Sequence, residues 1–342
     1  MSTTRGPLTR GRLARWSLAL AGVLLACLVA GMLFGQGHVS FGNLVDGTLD
    51  DAERAILFEV RVPRVLLAAL LGGALTVAGV VFQGLLRNPL ADPYVLGVSG
   101  GASIGGVVAL LLGLGGTGAW LSGVGVPVLA FLGALGSLLL IERIATVGGR
   151  MTVYTILLTG AIFNAFSAAL IFFIQSIASL QQLHAIVFYL MGRVPSLELR
   201  TVGLIALAIA APVGALILMG RQFNALALGE EGAQQLGVDV EQVKRRSFVL
   251  GSLLTALAVS VAGLIGFVGL VVPHLLRLVL GPDHRLLIPA ALFGGAAFLV
   301  LADLIARVLI PSNELPVGVV TALIGGPFFL YLLRQRGSRH GF

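Results

Sequence analysis

Lys244 is the only lysine in the chain, and its neighbour decides which phosphate chemistry it can support. A Walker-type phosphate loop needs a lysine followed by Ser or Thr, one to reach the phosphates and the other to hold magnesium. Arg245 stands in that place here, so ATP hydrolysis by that route is excluded. The glycine cluster Gly97-Val98-Ser99-Gly100-Gly101-Ala102-Ser103-Ile104-Gly105-Gly106 does not match the dinucleotide fingerprint and comes after a turn, not a strand; close packing or a broken helix accounts for it better. No His and Asp are placed to suggest a catalytic triad, so no catalytic residue and no cofactor are expected. His38, His184, His284 and His340 are scattered, and the single Cys27 permits neither an intrachain disulfide nor a thiolate cluster; no metal site is expected.

A few polar residues stand inside apolar runs. Asp303 precedes Arg307 by four residues on one helix face, which suits an intrahelical ion pair or a proton relay. His274 comes directly after Pro273 and reads as a hydrogen-bonded packing residue or a ligand. Gln83, Asn164 and Gln175 could line a path or bond one helix to another.

The elements that must position these groups emerge from composition. Of 342 residues 57% are hydrophobic and 11% charged, less than half of the roughly 25% charged content of soluble domains, so a soluble fold is excluded. A transmembrane barrel needs alternating strands, whereas residues 202–218 are apolar on every side; helices remain as the way to satisfy backbone groups in lipid. The hydropathy pattern predicts an all-α, polytopic membrane protein, one membrane domain over 1–342, with about ten spans: 16–34, 61–84, 94–114, 120–141, 152–175, 201–220, 247–265, 267–280, 286–309 and 317–333. Residues 24–27 also fit a lipoprotein cleavage box, but the apolar run continues past Cys27 to spanning length, which favours a first helix. Residues 36–59 read as an external loop with some helix, 176–200 as a short external helix and loop, and 221–246, the most polar internal segment, as a cytoplasmic coupling segment.

An even number of spans puts both termini on one side. Of the 22 Lys and Arg, sixteen fall on the terminal side and six opposite: Arg54, Arg61, Arg64, Arg193, Arg200 and Arg307. The positive-inside rule therefore makes the termini cytoplasmic, with residues 1–15 as a cytoplasmic tail. Topology thus explains the net charge of +7, and no nucleic-acid partner is needed. A weak internal echo, 78–82 against 262–266, fits an inverted repeat or chance similarity in glycine-rich sequence. Residues 225–238 predict a short cytosolic helix and turn with Leu226, Ala233 and Leu236 available to a partner such as a separate ATPase, or a plain connecting loop.

The strings RVPR (61–64), LLRNPLADPYVLGVSGGASIG (85–105), LALGEEGAQQLGV (226–238), GFVGLVVPHLLR (266–277), LADLIAR (301–307) and ELPVGVVTALIGGPFF (314–329) resemble the FecCD-type permeases of bacterial ABC importers for iron-siderophores, heme and cobalamin. The resemblance implies a homodimer of ten-helix subunits in the bacterial inner membrane, with two cytoplasmic ATP-binding subunits and a periplasmic or lipid-anchored substrate-binding protein. It implies that Arg61, Arg64 and Arg307 face acids of the binding protein, and that Leu226, Gly229, Glu230, Glu231, Ala233, Leu236 and Gly237 belong to an ATPase-coupling element. It puts the cytoplasmic gate near the start of the fifth span, at Met151, Thr152 and Tyr154, where this chain is bulkier than the cobalamin branch. The expected cargo is a metal chelate, an iron(III)-siderophore first, with cobalamin or heme as alternatives; an ion-coupled secondary transporter is the competing class.

Overall fold

The architecture is helix packed on helix. The computed structural model describes residues 9–37, 41–115, 124–310 and 314–337; residues 120–123 of the expected fourth span, with His38, His340, Arg5 and Arg339, lie outside them. Helix α1 (Arg10–Leu33) starts at Thr9, whose side chain accepts from the Arg12 N–H, one of the donors that a helix start leaves free. It runs through Cys27 without a break. Two short helices come next, α2 (Phe41–Asp46) and α3 (Asp51–Ala55), the second held by a capping box between Asp50 and Glu53.

The second span begins earlier than predicted. A π-helical turn, Ile56–Arg61, joins α3 to α4 (Val62–Leu85), making one continuous helix from Asp51 to Leu85. Pro63 has no N–H to give, and the ladder shifts instead of ending: the Val62 N–H reaches back five residues to the Leu57 carbonyl. The predicted span 94–114 is likewise not one helix. It breaks into a 3₁₀ turn, Pro93–Leu96, a left-handed Gly97, and α5 (Val98–Leu111). At 14 residues α5 is about 21 Å long, short of the ~30 Å hydrocarbon core.

Helix α6 (Gly125–Ala145) leads into a two-residue antiparallel ladder, β1 (Thr146–Val147) with β2 (Arg150–Met151), and then α7 (Val153–Ile177). The expected short external helix is α8 (Leu180–Met191), capped by Ser179 and Gln182. After α9 (Leu199–Leu218) come the short α10 (Gly220–Leu226) and α11 (Glu230–Gln235). The chain ends with α12 (Val240–Ala262), α13 (Val268–Leu280), α14 (His284–Val308) and α15 (Val317–Gly337). Among the described residues, seven helices are long and apolar enough to cross a membrane; the other three expected spans are shorter apolar helices, Val98–Leu111, Val268–Leu280 and Val317–Tyr331.

Helix α4 is the centre of the bundle, packed by α9, α12, α13 and α14 around one contiguous apolar core. The glycines let backbones approach: a Cβ on Gly79 of α4 would overlap the Gly269 carbonyl of α13, and one on Gly101 of α5 would overlap the Gly133 carbonyl of α6. The 97–106 cluster is therefore packing surface beside a break. The ion pairs respect the predicted sides: Arg64, Arg193 and Arg307 meet at one end, Lys244 and Arg245 at the other.

Candidate functional site

At the external end, Asp303 on α14 lies fully buried between two arginines. Arg64 donates from Nε and Nη2 to Asp303 Oδ1 at 3.1 and 3.0 Å, and Arg307 Nε stands 2.9 Å from Oδ2. The predicted intrahelical pair exists, but it is half of a larger cluster. Arg64 Nη1 also donates to Glu314 Oε2 at 2.9 Å, and Glu314 is shared with the exposed Arg193 at 3.5 Å. Arg61 directs its guanidinium to backbone carbonyls of the turn after α1, among them Leu33 at 2.7 Å and Gly37 at 2.8 Å, and Arg307 donates to the Gly31 and Phe34 carbonyls. Arg61, Arg64 and Arg307, expected to face a partner, are thus 3–5% exposed and already bonded within the chain. Sequence reasoning missed Glu314 because it lies 250 residues from Arg64, with no periodicity to link them.

In the interior the two breaks meet. The Tyr94 hydroxyl donates to the Ile265 carbonyl at 3.0 Å and accepts from the Ile265 N–H at 2.9 Å, tying the 3₁₀ turn to the 263–267 break, where Phe267 takes a left-handed φ of 67°. Asn164 Nδ2 donates to the Tyr94 carbonyl at 2.9 Å. Tyr94, Asn164, Ser99, Ser103 and Ser167 line an open groove of about 390 Å³, where the buried Ser103 Oγ has no hydrogen-bond partner. Asn164 therefore lies on a groove that is mostly apolar, with a few hydroxyl and amide groups at its wall. Gln83 is elsewhere: it is buried, accepts from Arg277 at 2.9 Å and donates weakly to the Ala91 and Gly269 carbonyls, so it bonds helix to helix. Gln175 stands near the external end of α7.

At the cytoplasmic end the residues expected to couple divide into two sets. Leu226 and Ala233, predicted to be available, are 2% and 0% exposed, because α10 and α11 fold back on the bundle. Leu236, just after α11, and Leu228, just before it, are both exposed, and Glu231 is at the surface. Gly229 (φ 107°) and Gly237 (φ 78°) make the turns on either side of α11. Glu230 accepts from Lys244 Nζ at 3.1 Å; Lys244, 3% exposed, also meets Glu241 at 2.7 Å, and Glu241 accepts from the Met151 N–H at 2.8 Å. This chain of contacts joins α11 to the first residues before α7. Met151 is buried, Thr152 caps α7 by accepting from the Thr155 N–H, and Tyr154 is 75% exposed. A second tie runs from α10 to α14: Asp283 accepts from Asn224 at 2.7 Å and from Arg285, and the Arg285 contacts hold the carboxyl down at about 2. The turn residues Gly281-Pro282-Asp283 could have signalled that cap. Among the described residues no His, Cys, Asp and Glu cluster could hold a metal.

Against known proteins, the family model described as the FecCD transport family matches residues 23–335. The chain is 46% identical over 307 residues to an uncharacterized ABC transporter permease of Bacillus subtilis, covering 88% of this chain and 85% of that one. It is 41% identical to the hemin transport system permease of Yersinia pestis, covering 93% and 96% of the two chains, and 40% identical to the vitamin B12 import system permease of Vibrio cholerae, covering 94% of each. Among solved structures, an inward-facing metal-chelate type ABC transporter superposes with a TM-score of 0.82 at 30% identity, covering 94% of this chain and 99% of that one.

Proposed function

Because the chain belongs to the FecCD transport family, we propose that it is the permease of an ATP-driven importer whose cargo is a metal chelate. It is a transport permease and not an enzyme, and ATP is hydrolysed on a separate subunit. The observation that carries the mechanism is the relay Glu230–Lys244–Glu241–Met151, two ion pairs on the buried Lys244 and a hydrogen bond to the Met151 N–H that link an exposed cytoplasmic element to the start of α7. An ATPase seated on Leu228, Glu231 and Leu236 would move α11, and the relay would carry that displacement to α7, whose own Asn164 borders the groove together with Tyr94. A two-state bundle biased in this way needs no group that makes or breaks a bond in the cargo.

The binding protein docks at the external end, where Arg64 and Arg193 share Glu314. A carboxylate of the partner competes with Glu314, 24% exposed, for the same guanidinium, so the arginines are reached by exchange. The relatives named for hemin and vitamin B12 favour a macrocyclic chelate over an iron(III)-siderophore as cargo. Proteoliposomes containing the chain, its ATPase and its binding protein test the proposal. Uptake of cobalamin, hemin or ferric siderophore should require ATP and all three components. Uptake driven by an ion gradient through the chain alone would overturn it.

A further inference from the structure

At the cytoplasmic edge, the end of α9 and the start of α12 border an open groove of about 760 Å³. Leu218, Met219, Val249 and Leu250 give it an apolar floor, and Arg245 and Arg246 stand over that floor. Its outer rim is apolar: Leu218, the last residue of α9, is 85% exposed. Arg245 is bound by Glu142 at the cytoplasmic end of α6. Arg246 is exposed and makes no hydrogen bond or ion pair among the described residues. Gln222 also lines the groove, and its amide oxygen is buried without a hydrogen-bond partner.

A soluble anion would satisfy the guanidinium and leave the apolar floor in water, while an alkyl ligand would leave the charge and the amide unanswered. A phosphate carried on acyl chains answers both, and the groove lies where the helices leave the cytoplasmic leaflet, the level of lipid headgroups. We propose that this groove binds an anionic phospholipid of the cytoplasmic leaflet. The phosphate sits on Arg246 and the free edge of Arg245, an acyl chain runs along Leu218 and Leu250, and a headgroup hydroxyl donates to Gln222. The site does not depend on which chelate is carried. Neither Leu228 nor Leu236, the exposed pair where the ATPase is proposed to sit, is among its lining residues.

The test uses the full chain in nanodiscs of phosphatidylcholine with a minor fraction of phosphatidylglycerol, released gently into native mass spectrometry. The unaltered chain should retain one phosphatidylglycerol per copy, and the retained fraction should persist with the ATPase bound. Arg246→Glu should lower retention at least about fivefold, the scale of one basic residue near a charged leaflet. Arg150→Glu, the same charge change at an exposed cytoplasmic position outside the groove, should change it less than twofold. Equal loss in both variants would mean diffuse attraction and overturn the site. Displacement by millimolar inorganic phosphate would make it a soluble-anion site, and displacement by the ATPase would make it part of the protein interface; either result overturns the lipid.

Discussion

Asp303 is buried between two guanidiniums, so its removal strands both charges. Breaking a buried pair in this way costs about 3–5 kcal/mol. Asp303→Asn is expected to lower the thermal unfolding midpoint in detergent by a wide margin, and an unchanged midpoint would show that Glu314 and backbone carbonyls suffice. The exchange model for docking makes a prediction of opposite signs. Arg64→Gln should weaken capture of the binding protein several-fold, whereas Glu314→Gln, which frees Arg64 and Arg193, should strengthen it. Capture measured by surface plasmon resonance on nanodiscs separates the two; a matching loss in both variants would mean that the cluster only holds the fold. The residue types of this cluster were legible in the sequence, because arginines are rare enough in apolar runs to stand out. Their partners were not legible, since a side chain's availability depends on what the fold brings within 3 Å of it.

Helix packing here rests on missing side chains. Gly79→Val places atoms where the Gly269 carbonyl stands and should abolish stable insertion or lower the melting point by more than 10 °C at about 4 °C or less per kcal/mol for a chain this size. Gly136→Ala, at a position with open space around it, should be silent in the same assay. The coupling elements divide by contact. Leu228→Asp with Leu236→Asp should reduce ATPase association, because both are at the surface. Lys244→Gln, which cuts the link from α11 to Met151, should leave association intact and lower uptake per ATP hydrolysed at least fivefold. Normal stoichiometry in Lys244→Gln would remove the relay from the mechanism. Helix starts and stops were largely readable, because Pro, Gly and capping residues act locally. Two exceptions show the limit: Pro63 produced a π turn and not a start, and the 94–114 run broke at Gly97, since neighbouring helices decide whether a weak point bends, shifts or opens.

On the scale of the whole molecule, α7 presents an exposed stripe, Tyr154, Leu158, Ile162, Phe166 and Phe173, that no other described part of the chain covers. A second copy seated there would close the groove lined by Tyr94 and Asn164 into a path between subunits. Cys27 is the only cysteine, so a Cys27→Ser background is free of thiols. Ile162→Cys in that background should form a disulfide-linked dimer in membranes under mild oxidation, while Leu207→Cys, exposed on α9, should not. Equal cross-linking at the two positions would show chance collision.

Class, helical build, approximate span number and sidedness were determined by the sequence alone. Each depends on a cost incurred residue by residue, hydrocarbon against water or charge against a leaflet, and such costs add along a chain whatever the fold. The tertiary structure alone decided which arginines are bonded inside, which of Leu226, Ala233 and Leu236 remains free, and that the two helix breaks lock together through Tyr94 and Ile265. Much of this rests on contacts between residues far apart in the chain, 171 positions for Tyr94–Ile265, 250 for Arg64–Glu314 and 276 for Arg307–Gly31, and no local pattern encodes the close approach that makes them.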